Sequence, residues 1–348
     1  MFADGQFFTP DKRARFIAIR PQLPQSTTSH DYPFILNTGR VRDQWHTMTR
    51  TGDAASLAQH TEQPFVDIHP SDAKKLKLSD RALVKITSPM GTVVLKARHN
   101  TDIRIGQVFV PIHWTQQFAN ASVVSNVIPQ IVDPLSGQPE SKHATVKLAA
   151  VTNATYNLVF SDKPLTFSTA TYWCRIPSVN GYRYEVVWPQ NANVAFLKDV
   201  AGDQPGEWLE YVNPTTGQTR LALISAQKLI YAVYSRLAPE SVFSQWLIEK
   251  LDTRSVIEPQ DRLALLVGSP ANTVDIGDII CSCYQVGSKQ INSAVAEGLA
   301  SVEELGKKLK CGTNCGSCIP ELKQAIASFE TARETERETD RETEPEMY

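Results

Sequence analysis

The sequence predicts a multidomain, β-rich chain: a closed β-barrel, a mixed α+β middle segment, a small all-helical module and a disordered acidic tail. Three observations carry that reading. Short apolar strands separated by turn residues fill residues 32–151, with few helical stretches among them. Helix-start signals and five of the six cysteines crowd into residues 277–329. Residues 335–343 hold no apolar side chain at all. At 348 residues, 42% hydrophobic and 21% charged, the chain is long enough for two or three folded units.

Taken in order, residues 1–24 read as an extension that starts without a strand or helix of its own, as a fragment boundary would. Residues 25–151 form the barrel unit. Phe34-Ile-Leu36 runs into Asn37-Thr-Gly-Arg40, and residues 82–87 and 92–97 flank Ser88-Pro-Met-Gly91 as a hairpin. Residues 108–112 are another apolar strand, and His69-Pro70 opens a short helix with proline in its first turn. Within the middle segment, 152–273, residues 156–160 and 182–188 alternate as strands, 221–234 read as a hairpin or paired strands and 239–251 as an amphipathic helix. Cys174, beside Trp173, reads as an inert core thiol. In the module at 274–330, Gly287-Ser288 opens a helix through Glu297, Ser301-Val-Glu-Glu304 is a capping box, and Cys318 begins a helix through Phe329. Residues 331–348 are the charged tail.

Charge narrows the function classes. The formal net charge is -2, and residues 331–348 carry seven acids against three arginines, so the remainder is near +2. That balance argues against nonspecific nucleic-acid binding. No run of 18 apolar residues exists, so no membrane-spanning helix is expected, and Met-Phe-Ala-Asp-Gly-Gln lacks the basic and apolar regions of a signal peptide, which reads as cytoplasmic.

The cysteines carry the chemistry. Cys281-Ser-Cys283 is followed by 31 residues that include Cys311, then by Cys315-Gly-Ser-Cys318. A C-x-C pair and a C-x-x-C pair bring four thiolates together from two distant loops, as an iron–sulfur cluster or a zinc ion requires. Without a signal peptide, metal binding reads better than disulfides. The stretch from about Gly277 to Phe329 resembles the bacterioferritin-associated-ferredoxin-like module, which binds one 2Fe-2S cluster. The resemblance implies Cys281, Cys283, Cys315 and Cys318 as ligands and leaves Cys311 as a spare loop thiol. Spacing alone leaves structural zinc on the same residues as an alternative.

A second set of motifs lies upstream. Gly39-Arg40-Val41 is followed by Trp45-His46-Thr47, and later come His113-Trp114, Phe118-Ala-Asn120, Asp133-Pro134 and Pro139-Glu-Ser-Lys142. In this order and spacing they resemble the molybdopterin-dinucleotide-binding domain of the dimethyl-sulfoxide-reductase family, in its nitrate reductase branch, which implies a double-psi β-barrel. A pterin bearing a pyrophosphate and guanosine needs close backbone approach and cationic or N–H donors. Thr38, Gly39 and Arg40 supply these at a strand end, with His46 and Thr47 as further donors. Asn120 and Lys142 suit the pterin or its phosphates, with Asp133 and Glu140 as additional contacts. Trp45 and Trp114 read as core aromatics. Where relatives commonly have Pro-Glu-Phe-Lys, Ser141 replaces the aromatic.

Together these features resemble the carboxy-terminal portion of assimilatory nitrate reductases of the molybdenum type. The resemblance implies molybdopterin guanine dinucleotide and a 2Fe-2S cluster as cofactors. Its implied partners are an amino-terminal catalytic portion holding molybdenum and a 4Fe-4S cluster, and an electron donor such as an NADH-dependent reductase subunit, flavodoxin or ferredoxin. No catalytic residue is expected in this chain, so alone it should not turn over. Two other readings stand beside it: a stand-alone 2Fe-2S electron-transfer or regulatory protein, and part of a related oxidoreductase such as formate dehydrogenase.

Overall fold

The computed structural model describes residues 2–152, 154–189, 192–238, 245–270 and 274–343, with side chains through residue 331. Alternating apolar residues turn one face of each of six strands inward: β1 (Phe34–Gly39), β2 (Phe65–Ile68), β3 (Leu83–Ser88), β4 (Gly91–His99), β5 (Gln107–Pro111) and β6 (Ala144–Ala150). They close into a barrel in the order β1-β5-β2-β4-β3-β6. β1 runs parallel to β5 and β2 parallel to β4, and the remaining neighbours are antiparallel. Leu36, Val66, Ile68, Ile86, Leu95 and Val110 fill the interior. β3 and β4 pair from Leu83↔Lys96 to Ser88↔Gly91, the hairpin expected from the sequence. Outside the barrel lie α1 (Ala55–Ala58) and α2 (Pro70–Lys75); α2 starts at Pro70 because His69 Nδ1 accepts the Ser71 N–H and proline fits the first turn.

The middle segment is one antiparallel sheet. Its strands β7 (Thr155–Ser161), β8 (Tyr172–Ile176), β9 (Tyr182–Trp188), β10 (Glu207–Asn213), β11 (Gln218–Ser225) and β12 (Lys228–Arg236) lie in the order β10-β11-β12-β7-β9-β8. Helix α3 (Val194–Ala201) packs on one face through Leu197 and Ala201. Helices α4 (Gln245–Lys250) and α5 (Pro259–Val267) pack on the other through Leu247 and Leu265. Of the helix expected at 239–251, residues 239–244 lie outside the described residues. Barrel and sheet share a core in which Leu83, Val94, Trp114 and Phe118 meet Tyr156, Tyr172, Cys174 and Val187. Burial there pushes the Cys174 thiol up to about 12, which agrees with an inert core thiol.

The last unit holds β13 (Ile279–Cys281), β14 (Val286–Gly287), α6 (Ser288–Ala296), α7 (Val302–Leu309) and α8 (Ile319–Thr343). It is therefore not all-helical: β13 and β14 form an antiparallel ladder. Gly287 in β14 packs directly on the chain, where an added Cβ would lie 2.0 Å from the Ile276 carbonyl oxygen. Ser301 caps α7, its Oγ accepting the Glu304 N–H at 3.2 Å, but the expected capping box is not completed: the Glu304 carboxylate accepts the Ala300 N–H at 3.0 Å rather than that of Ser301. The tail expected to be disordered from residue 331 instead continues α8 to Thr343. Its glutamates and arginines favour helix without needing a buried face. Residues 344–348 lie outside the described residues.

Candidate cofactor sites

The end of β1 is where the upstream motifs meet. Thr38 is buried and donates its hydroxyl to the Ser141 carbonyl at 2.8 Å, while the Lys142 ammonium donates to the Thr38 carbonyl. Gly39 returns its carbonyl to the Ile112 N–H at 3.0 Å. A side chain at Gly39 would place Cβ 2.6 Å from the Phe109 ring, so glycine is required here by β5. Arg40 is exposed beyond the strand end, its guanidinium 5.4 Å from the centroid of the Trp45 ring. Trp45 is itself 52% exposed, which corrects its reading as a core aromatic; the cation over its face occupies it instead.

After Arg40 the chain makes an irregular loop in which Asp43, His46 and Met48 all have positive φ (67, 43 and 58°). Three such non-glycine residues in one loop are costly and persist only where surroundings impose them. Two residues impose them here. His113, fully buried, accepts the Val41 N–H at Nε2 (3.0 Å), so Nδ1 carries the proton and donates to the His46 carbonyl at 2.6 Å. Burial is the main influence holding the His113 pKa below its usual value. Gln44 accepts the Thr51 hydroxyl (2.7 Å) and donates to the Leu57 carbonyl (3.3 Å). Sequence reasoning noted His113 as part of a motif but gave neither residue a role. His46 and Thr47 are exposed on this loop.

The other expected contacts are spread out. Asn120 accepts the Trp173 N–H (2.8 Å) and donates to the Ala170 carbonyl (3.3 Å), so its amide docks the barrel on the middle sheet. Asp133 accepts the Leu135 and Ser136 N–H groups and the Ser136 hydroxyl, an exposed turn closed on itself. Glu140 accepts the Gln25 and Ser26 N–H groups at 3.0 and 3.1 Å and clamps the chain entering the barrel. Thr38, Gly39, Arg40 and Lys142 therefore form one cluster, with His46 and Thr47 on the adjoining loop. Its exposed cations, Arg40 and Lys142, suit the phosphates of a dinucleotide.

The cysteines form two pairs. Cys283 Sγ and Cys315 Sγ are exposed and 3.4 Å apart. Cys281 and Cys318 are buried together, and burial followed by the nearby Cys281 pushes the Cys318 thiol up to about 11. Cys311 is buried on the same side, with its thiol donating to the Leu305 carbonyl at 3.7 Å. Hydrogen bonds from Ser317 are the main influence holding the Cys315 thiol below its usual range. Among the described residues, no group of three or more His, Cys, Asp or Glu side chains converges as a metal site. A 2Fe-2S cluster, however, takes two thiolates on each iron, and tetrahedral ligation at about 2.3 Å separates two sulfurs by about 3.8 Å. Two thiol pairs, one near that spacing, fit the cluster's donor set.

Residues 34–145 match the Molydopterin dinucleotide binding domain family, and residues 279–328 match the BFD-like 2Fe-2S binding domain family. The chain is thus similar to both cofactor-binding families over these stretches. It carries a binding domain for each of the two cofactors those descriptions state. It is 36% identical over 333 residues to a nitrate reductase of Klebsiella oxytoca, across 91% of this chain and 36% of that protein. An assimilatory nitrate reductase catalytic subunit of Bacillus subtilis is 35% identical over 154 residues, 42% of this chain and 21% of the relative. An F420-dependent formate dehydrogenase subunit alpha of Methanocaldococcus jannaschii is 36% identical over 146 residues, again 42% of this chain and 21% of the relative. The chain thus spans 36% or less of the length of these relatives. No helix among the described residues is long and apolar enough to cross a membrane.

Proposed function

We propose that this chain is part of a molybdenum-dependent assimilatory nitrate reductase, working in the cytoplasm, in which it holds molybdopterin guanine dinucleotide on a double-psi barrel and a 2Fe-2S cluster on Cys281, Cys283, Cys315 and Cys318. One observation carries the reading: a single nitrate reductase matches 91% of the chain, across barrel, middle sheet and cysteine module alike. The formate dehydrogenase match spans 42% of the chain, as does that to the assimilatory nitrate reductase subunit, so the reading rests on the 91% match. When bound, the cluster supplies a one-electron centre and the pterin a molybdenum ligand.

The chain's own residues do the positioning. Arg40 and Lys142 meet phosphate charge at the end of β1, while His113 and Gln44 hold the loop that carries His46 and Thr47. The middle sheet fixes the barrel through Asn120. Nitrate reduction then needs the catalytic portion that completes the relatives' length, and an electron donor such as a reductase subunit, flavodoxin or ferredoxin.

Metal analysis tests the cysteine assignment. The purified chain should hold about two irons and two sulfides. Cys315→Ser should lose them, and Cys311→Ser should keep most. Stoichiometric zinc without visible absorption would replace the cluster by a structural zinc site. Nitrate turnover should require the catalytic portion; activity of the 348-residue chain alone would refute its role as a part of the enzyme.

A further inference from the structure

Two residues beyond Arg40, the guanidinium of Arg42 leaves the barrel and enters the cysteine module. Nη1 donates to the Ser317 carbonyl and to both carboxylate oxygens of Glu321, at 2.8 and 2.7 Å. Nη2 donates to the Ile280 carbonyl at 3.3 Å, and Nε to Asp43 at 3.2 Å. Ser317 directly precedes Cys318, and Ile280 directly precedes Cys281. One rigid cation therefore grips the backbone beside one cysteine from each loop, and those two are the buried thiol pair.

The same boundary is held elsewhere by neutral or self-compensated contacts. Gln285 donates to Gln59 at 2.6 Å, and Arg81 pairs with Asp278 at 2.8 Å. His60 Nε2 lies 3.2 Å from Glu321, and burial is the main influence favouring its neutral form. Arg42 is thus the cation that balances Asp43 and Glu321 beside the cysteine loops, and its side chain is only 20% exposed, so solvent screens it weakly.

Resting on the assignment of the four cysteines as cluster ligands, we propose that Arg42 positions the two cysteine loops and sets the reduction potential of the cluster they hold, joining the dinucleotide-binding loop to the redox centre. Reduction adds negative charge to the site. A cation fixed against both loops favours the reduced form, and net charge and hydrogen bonding near a cluster are what tune its potential.

The test is an EPR-monitored redox titration of the full chain holding its cluster, compared with Arg42→Gln and Arg42→Lys. Arg42→Gln leaves the two carboxylates unbalanced and should lower the reduced-to-oxidised ratio at a fixed potential about tenfold, a downward shift of about 59 mV for one electron. Arg42→Lys keeps the charge and should restore most of that shift, although amide hydrogen exchange at residues 280–283 and 317–321 should quicken in both variants as the fork is lost. An unshifted midpoint in Arg42→Gln, or an equal shift in Arg42→Lys, would overturn the proposal. Should Arg42→Gln fail to retain the cluster, Glu321→Gln serves instead. Removing that anion while keeping Arg42 should raise the midpoint, and no rise would overturn the proposal. Absence of iron and sulfide from the wild-type chain would defeat the ligand assignment itself, whereas a normal cluster with an indifferent midpoint defeats only the role of Arg42.

Discussion

His113 shows how one buried side chain governs the shape of an exposed loop. Its neutral Nδ1–H tautomer accepts from Val41 and donates to His46, and a second proton would set an N–H against the Val41 N–H. Burial, its largest influence, lowers the folded-state pKa from the usual 6.5. The unfolded chain therefore binds a proton that the folded chain resists. The His113 contribution is fully present above the ordinary value and is lost as pH falls through the lower folded one. Thermal unfolding between about pH 7.5 and 5 should show this as an acid-side loss that is smaller in His113→Gln, which cannot titrate. At neutral pH, His113→Ala strands the Val41 N–H and the His46 carbonyl and should cost about 1–3 kcal/mol. An unchanged acid limb in His113→Gln would show that other groups control it.

At the scale of elements, the junction between β14 and α6 has no room to vary. Gly287 has an ordinary φ of -96°, so conformational freedom is not what demands glycine. The demand is steric: an added Cβ would sit 2.0 Å from the Ile276 oxygen and 2.6 Å from its carbonyl carbon, and neither backbone atom can rotate away. The α6 start also relies on that approach, through Lys289 N–H to Ile276 and Ser288 N–H to Asp278, at 3.0 and 2.8 Å. Gly287→Ala should therefore destabilise the cysteine module by about 1–3 kcal/mol while leaving the barrel intact. Hydrogen exchange checks this, quickening across 279–328 but not in β3 and β4. Equal quickening in both would mean that the module and barrel open as one unit.

For the whole molecule, the seam between barrel and middle sheet combines an apolar core with a buried charge network. Glu185 on β9 accepts from Lys96 on β4 at 2.5 Å and from Gln63 at 2.6 Å, and Arg183 beside it makes a two-pronged bond to Glu62 at 2.6 and 2.8 Å. Only 17% of the Lys96 side chain and 11% of the Glu185 side chain are exposed. Glu185→Ala should cost about 3–5 kcal/mol because it leaves Lys96 buried and unpaired, and replacing both partners by apolar residues should recover most of that. Denaturant midpoints of the two variants decide it. A double variant as unstable as the single one would show that the pair itself, rather than the abandoned charge, carries the seam.

By itself the sequence determined the local structure and the chemistry of each site's residue types. Turn residues at 88–91 dictated the hairpin of β3 and β4, Ser301 capped α7, and C-x-C with C-x-x-C set paired thiols on two short loops, because each signal acts within a few residues along the chain. The closed barrel was legible from its short strands, but the parallel pairing of β1 with β5 and the strands β8 and β10 depend on partners distant in sequence and left weaker local marks. The tertiary structure also assigned the roles of similar polar residues. Asn120 was drawn to the middle sheet and Glu140 to the entering chain, while His113 became the support of a strained loop. Arg42 reached across to the cysteines, a contact between residues 42 and 317 that no local pattern encodes. The physical reason is the same in each case: side-chain chemistry is written in the residue, but the partner that satisfies a buried or bridging polar group is chosen only when distant segments pack together.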